Sequence, residues 1–202
     1  MAHPLILVTG FGAFEDVETN PSMEIAVALE REACPSLRYR CAILPVSFHR
    51  VPGRIDAFFE RFEAEKPALF MALGVQKEPW FRLESRAYPR LVGDDRPDVD
   101  GIFAIESEPY AELPKASGSR GARSTNLDVE RIVRDVKGRG VEAIGVSDDA
   151  GGYVCERAYY RVLEHTDAAG IPGLFVHVPP LADVPLERQI EVCRWIAELA
   201  LT

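Results

Sequence analysis

Ala143-Ile-Gly-Val-Ser147-Asp-Asp-Ala-Gly-Gly-Tyr-Val-Cys155-Glu-Arg-Ala-Tyr-Tyr160 is the stretch on which the reading of this chain turns. Its first four residues form a short apolar run, as in a buried strand, and residues 157–163 read as a helix. Two glycines and then a cysteine lie between them. A strand-turn-helix corner of this kind belongs to an α/β sheet. It also sets Cys155 near a helix N-terminus, where unpaired N–H groups favour thiolate over thiol. Downstream, Gly173-Leu-Phe-Val-His177-Val-Pro-Pro180 is a second apolar run that ends on a histidine. The next strand of such a sheet would bring His177 beside Cys155, where a base is needed.

Outward from this corner the same rhythm holds. Leu5-Ile-Leu-Val8 reads as a central parallel strand, and Thr9-Gly-Phe11-Gly-Ala-Phe14 as a loop at its C-terminal end. Ligands of open α/β sheets bind at such loops. The loop has two glycines but no GxGxxG or GxxxxGK[ST] pattern, so it carries no nucleotide signature. Its phenylalanines fit either packing beneath the loop or a flat apolar slot for a small ring. Asn20 as N-cap and Pro21 at the first helical position start a helix that runs to about residue 34. Strands follow at 38–44, 68–73 (ended by Gly74) and, by alternation, 81–88. Helices are expected at 51–66, 128–138, about 155–168 and 186–201. Residues 89–123, rich in Pro, Gly, Asp and Ser, read as a long irregular region that serves as lid or oligomer contact, with short strands around 101–105. Together these elements predict a single α/β domain over residues 1–202. It has three α/β/α layers, a mostly parallel twisted central sheet of five or six strands, and about five helices.

The composition narrows the function. At 202 residues the chain can bury a large core. A net charge of −9 argues against a nucleic-acid partner. No apolar run approaches the roughly 20 residues that cross a bilayer, and Met1-Ala-His-Pro does not open like a signal peptide. The expectation is a cytoplasmic protein with no membrane partner. The four cysteines, Cys34, Cys41, Cys155 and Cys193, read as free thiols. No CxxC or Cys/His cluster has metal-ligand spacing, so neither a metal nor a cofactor is predicted.

A cysteine peptidase needs a thiolate, a histidine to move protons, a group that orients the histidine, and donors for the developing oxyanion. Cys155 and His177 fit the first two roles, and the turn around Cys155 offers backbone N–H groups. From pattern and composition alone, Cys155 reads rather as a buried structural thiol, and Glu84 as an exposed charge paired with Arg82 or Arg86.

Five blocks resemble the pyroglutamyl peptidase I family of cysteine peptidases, in its order and spacing. They are Leu7-Val-Thr-Gly-Phe-Gly-Ala-Phe14; Asn20-Pro-Ser22; Leu44-Pro-Val46 followed by Phe48; Ser147, Ala150-Gly151 and Val154-Cys155; and Phe175-Val-His-Val-Pro179. The resemblance spans nearly the whole chain. It implies a cysteine exopeptidase that removes N-terminal pyroglutamyl residues through a Glu84-Cys155-His177 triad and an acyl-enzyme. It further implies a small peptide substrate with a blocked N-terminus and a homodimer or homotetramer. Phe11 and Phe14 match the aromatics that hold the lactam ring, Asn20 a polar contact to it, and Val154 the residue beside the nucleophile. Arg96, in preference to Arg90, matches an arginine near the oxyanion. The chain departs from the family at Glu15, Asp16, Tyr88, Pro89 and Glu156, and Gln76-Lys-Glu-Pro79 replaces a Gly-Gly-Arg segment. A carboxylate at 156 would oppose thiolate formation if it faced the site. These departures leave two alternatives open: a divergent homologue that hydrolyses another N-acyl or cyclic amide, and an inactive ligand-binding homologue.

Overall fold

Four apolar runs, β1 (Leu5–Phe11), β2 (Arg38–Leu44), β3 (Leu69–Val75) and β8 (Gly173–Val178), lie side by side in the order β2-β1-β3-β8 and run parallel. The computed structural model that shows this describes residues 3–14, 17–32, 34–89, 96–103 and 121–202. Period-two side-chain alternation lets each strand feed two cores at once. Ile6 and Val8 enter one apolar layer while Leu5 and Leu7 enter the other. The first layer is closed by α1 (Pro21–Arg31), α3 (Val129–Lys137) and α5 (Leu186–Leu199). The second is closed by α2 (Arg50–Phe62) and α4 (Val154–Ala169). Burying each such Leu, Ile or Val contributes about 1.5–3 kcal/mol, so both helical layers are held firmly to the sheet.

Two more strands complete the sheet, and they are turned around. β4 (Phe81–Glu84) pairs antiparallel with β8, and β7 (Ile144–Ser147) pairs parallel with β4. The order is therefore β2-β1-β3-β8-β4-β7, parallel at four of its five junctions. The three-layer expectation holds, with one correction: β7 is separated from β8 by β4. The residues after β7 must therefore carry the chain back toward the C-terminal ends of β3 and β8 before α4 can start there. Phe81 and Leu83 pack into the α1/α3/α5 layer. By alternation, Arg82 and Glu84 face the α2/α4 side, as do Phe175 and His177 of β8.

Several expected ends shift, each because a pairing partner decides them. β1 runs on to Phe11, whose register partner is Leu44, so Phe11 ends a strand and the loop starts at Gly12. β3 continues through Gly74 and Val75, opposite His177 and Val178. The strand expected at 81–88 breaks at Ser85. Its N–H bonds back to Ser147, and the chain then forms a separate ribbon, β5 (Arg86–Ala87) with β6 (Arg123–Ser124). α1 stops at Arg31 because Glu32 is extended. α2 stops at Phe62 and gives way to one 3-10 turn, after which Lys66 turns left-handed at φ 52°. No strand forms at 101–103; residues 104 and 105 lie outside the described residues, as does most of the irregular region.

Gly10 fixes how α1 meets β1. A Cβ there would stand 2.1 Å from the Ser22 carbonyl oxygen, a backbone atom that cannot move aside. Gly10→Ala is therefore expected to destabilise the fold by about 3 kcal/mol or more. Thermal unfolding should show this as a drop of roughly 6–12 °C in Tm.

Candidate active site

The loops at the C-terminal ends of β1, β2, β3 and β8 surround a cavity of about 580 Å³. Cys155 and His177 both line it, with Phe11, Phe14, Val46 and Arg82 among their neighbours. β8 supplies His177 and β4 supplies Glu84. The antiparallel register sets Arg82 opposite His177 and Glu84 opposite Phe175, all on one face. The His177 Nδ1 to Glu84 Oε1 distance is 2.7 Å. Glu84 is fully buried and His177 is 4% exposed, so the pair is shielded from bulk water. Glu84 is thus no surface charge, contrary to the reading from composition. Arg82 does neighbour it, with Nε 3.5 Å from the same Oε1. The Tyr159 hydroxyl donates to the Glu84 backbone carbonyl at 2.8 Å, which ties β4 to α4. With Nδ1 engaged, Nε2 is the ring nitrogen left for chemistry.

Cys155 is the second residue of α4, and the N-cap residue Tyr153 makes no side-chain capping bond. A Cβ on Gly74 would lie 3.0 Å from Cys155 Sγ and 2.8 Å from Phe175 Cζ. The missing side chain at Gly74 is what lets the sulfur rest against β3, beside the strand that carries His177. The expected thiolate does not follow from this position. Burial, followed by the Glu84 and Glu156 carboxylates, pushes the Cys155 thiol up to about 12, against the pull of Arg82. Desolvation outweighs the helix terminus here, so the resting sulfur is a thiol.

The other expected site residues also reach the cavity wall: Phe11, Phe14, Asn20, Val154 and Arg96. Asn20 is spent within the fold. Its Oδ1 accepts from the Ser22 N–H and hydroxyl at 3.1 and 2.8 Å, and its Nδ2 donates to Gly12 O at 3.0 Å. Arg96 lies 5.3 Å over the Tyr153 ring, and the Tyr153 hydroxyl donates to Pro97 O at 2.8 Å. Residues 96–103 are pinned by buried Asp98, which accepts from the N–H groups of Phe48, Asp100 and Ile102. Arg90, Glu15 and Asp16 lie outside the described residues. The Glu156 carboxylate accepts from the N–H groups of Tyr88 and Gly152, and its charge still adds to the upward push on the Cys155 thiol.

The sequence reading overlooked Gly74 and the placement of Arg82, Lys77 and Glu78 on the cavity wall. Parity on β4 was the signal for Arg82, since residues 82 and 84 share a face. Nothing in the sequence signals Gly74, whose demand for glycine comes from two side chains distant along the chain.

Comparisons with known proteins identify the family. The pyroglutamyl peptidase family model matches residues 5–192. A pyrrolidone-carboxylate peptidase from Cupriavidus taiwanensis is 32% identical over 185 residues, which span 89% of this chain and 80% of the relative. One from Halalkalibacterium halodurans is 29% identical over 178 residues, 87% of this chain and 83% of the relative. Among solved structures, a mutant pyrrolidone carboxyl peptidase from Pyrococcus furiosus superposes with a TM-score of 0.82 at 25% identity, covering 98% of both chains. The Thermococcus litoralis enzyme reaches 0.83 at 23% identity, covering 98% of this chain and 93% of the other. Among the described residues, no helix is long and apolar enough to cross a membrane. The chain is a peptidase and belongs to the pyroglutamyl peptidase family.

Proposed function

We propose that this peptidase removes N-terminal pyroglutamyl residues from peptides, with Cys155 as nucleophile, His177 as general base and acid, and Glu84 as the group that orients His177. The observation that carries this reading is the buried 2.7 Å contact between Glu84 and His177, on a cavity that Cys155 shares. Because the resting sulfur is a thiol, attack and proton transfer are coupled. His177 Nε2 takes the Cys155 proton as sulfur bonds to the pyroglutamyl carbonyl carbon. The carbonyl oxygen becomes an oxyanion, held by N–H groups in the uncapped first turn of α4, with Arg96 on the same wall. His177 then returns the proton to the departing amine, the C–N bond breaks and a thioester remains. Water adds to the thioester, His177 accepts its proton, and pyroglutamate leaves as the Cys155 thiol re-forms. Phe11, Phe14 and Val154 supply apolar walls for a flat, uncharged ring, which needs no ionic anchor.

One feature favours a second reading, turnover of another N-acyl or cyclic amide by the same groups. Asn20 already commits its Oδ1 to Ser22 and one Nδ2–H to Gly12, so lactam recognition needs other donors and acceptors as well. A panel of pyroglutamyl, N-acetyl and prolyl fluorogenic amides separates the two. The first reading expects kcat/KM for the pyroglutamyl amide to exceed the others by about 10²-fold or more. Comparable turnover of N-acetyl amides would favour the second.

With the pyroglutamyl amide, Cys155→Ala is expected to lose at least about 10⁴ in kcat. Glu84→Gln should lower kcat on the order of 10²–10⁴-fold with little change in KM, because it removes the charge beside the imidazole and offers Nδ1 an amide donor that favours the wrong tautomer. Full activity in either variant would refute the assigned role.

The protonated state of Cys155 makes its own prediction. Cys34 is partly exposed; burial raises its pKa, but hydrogen bonds at Ser36 and Leu37 and the charge of Arg194 together outweigh it and hold the thiol below its usual value. At pH 8 without substrate, iodoacetamide should label Cys34 before Cys155, with the order read by peptide mass mapping. Cys155 labelling should speed up as the pH is raised further.

A further inference from the structure

The turn that presents Cys155 contains two successive glycines in left-handed conformations, Gly151 at φ 95° and Gly152 at φ 67°. Such a pair adopts the turn without steric strain but also has the most freedom to leave it. Its N–H groups are held by two carboxylates. Gly151 N–H donates to Asp149 Oδ1 at 2.9 Å, a local bond at the exposed tip. Gly152 N–H donates to Glu156 Oε2 at 3.2 Å, and the other oxygen of the same carboxylate accepts the Tyr88 N–H at 2.6 Å. Glu156 is the third residue of α4, where a glutamate commonly reaches back to the chain before the helix. Here that reach joins the Cys155 turn to a segment 68 residues away, just beyond β5, the short strand that follows Glu84.

We infer that Glu156 is a positioning residue for catalysis: its buried carboxylate bridges the Gly152 and Tyr88 N–H groups and so holds the Cys155 turn in register with the strand that carries Glu84. This rests on the reading of Cys155, His177 and Glu84 given above. Burial pushes Glu156 up to about 7, the bonds from Tyr88 and Gly152 oppose this, and the charges of Asp149 and Glu84 add to it. The groups that face it are Asp149 in the turn, Glu84 on β4, and Cys155 and Tyr159 on its own helix. A glutamate whose folded pKa lies above the ordinary 4.5 binds more protons folded than unfolded between those two values. Stability therefore falls as the pH rises through that window, and the cost is fully present above about 7. The two bonds that the carboxylate accepts place its effect at the turn beside Cys155 and at the segment after β5.

The test compares wild type, Glu156→Gln and Glu156→Ala with the pyroglutamyl amide, alongside melting curves and amide hydrogen exchange. Gln keeps the shape, loses the charge and can accept from only one of the two N–H groups. Expected results are a kcat lower by about tenfold for Gln and more for Ala, with KM within about threefold of wild type. Exchange at Gly152 and Tyr88 should quicken while α2 stays protected. The Tm of Gln relative to wild type should rise from pH 5 to pH 8. Unchanged kcat in a folded Gln or Ala variant, a loss confined to KM, or unchanged exchange at Gly152 would overturn the assignment. Failure of the underlying reading shows differently: wild type itself would not turn over the amide, whereas the exchange measurement still reports on the Glu156 bridge.

Discussion

The site depends on one buried contact, the carboxylate of Glu84 against the imidazole of His177. A fully buried carboxylate is costly unless it is partnered, and Glu84 Oε2 has no hydrogen-bond partner among the described residues. The partner at Oε1 therefore matters all the more, and the sheet is arranged to supply it. The register sets Arg82 opposite His177, so Glu84 and Arg82 fall on the same face as His177, one to bond the ring and one to balance the charge. Tyr159 then locks α4 onto the Glu84 backbone, so the helix that carries the sulfur and the strand that carries the acid move as one.

Much of this could be read from residues alone, and the rest could not, for physical reasons. Alternating apolar runs and helical faces identified the layers, because burial acts residue by residue. The resemblance brought together Glu84, Cys155 and His177, although composition alone read Glu84 as a surface charge. The reversal of β4 leaves no trace in its four residues, since a strand has the same period in either direction. The ends of β1 and β3 were misplaced because glycines suggest loops, while neighbours that offer ladder bonds can keep a strand going through them. The hub at Asp98 was missed because its role lies in gathering N–H groups from two segments of the chain.

The electrostatics around the sulfur run against the simplest expectation for a cysteine at a helix start. Two carboxylates and burial outweigh the helix terminus and Arg82. Placement around the sulfur is set by an imidazole on the cavity wall held by Glu84, a turn held by carboxylates, and a strand cleared of a side chain at Gly74. On the function proposed above, reactivity then comes with the alignment of substrate.

That resting state bears on survival in oxidising conditions. Peroxides attack thiolates far faster than thiols, and sulfenic acid is the first rung of damage. A thiol with its pKa raised, resting against β3 at Gly74, is a poor first target. Cys34, partly exposed and with its pKa lowered, is the better one, and it lies outside the cavity that Cys155 lines.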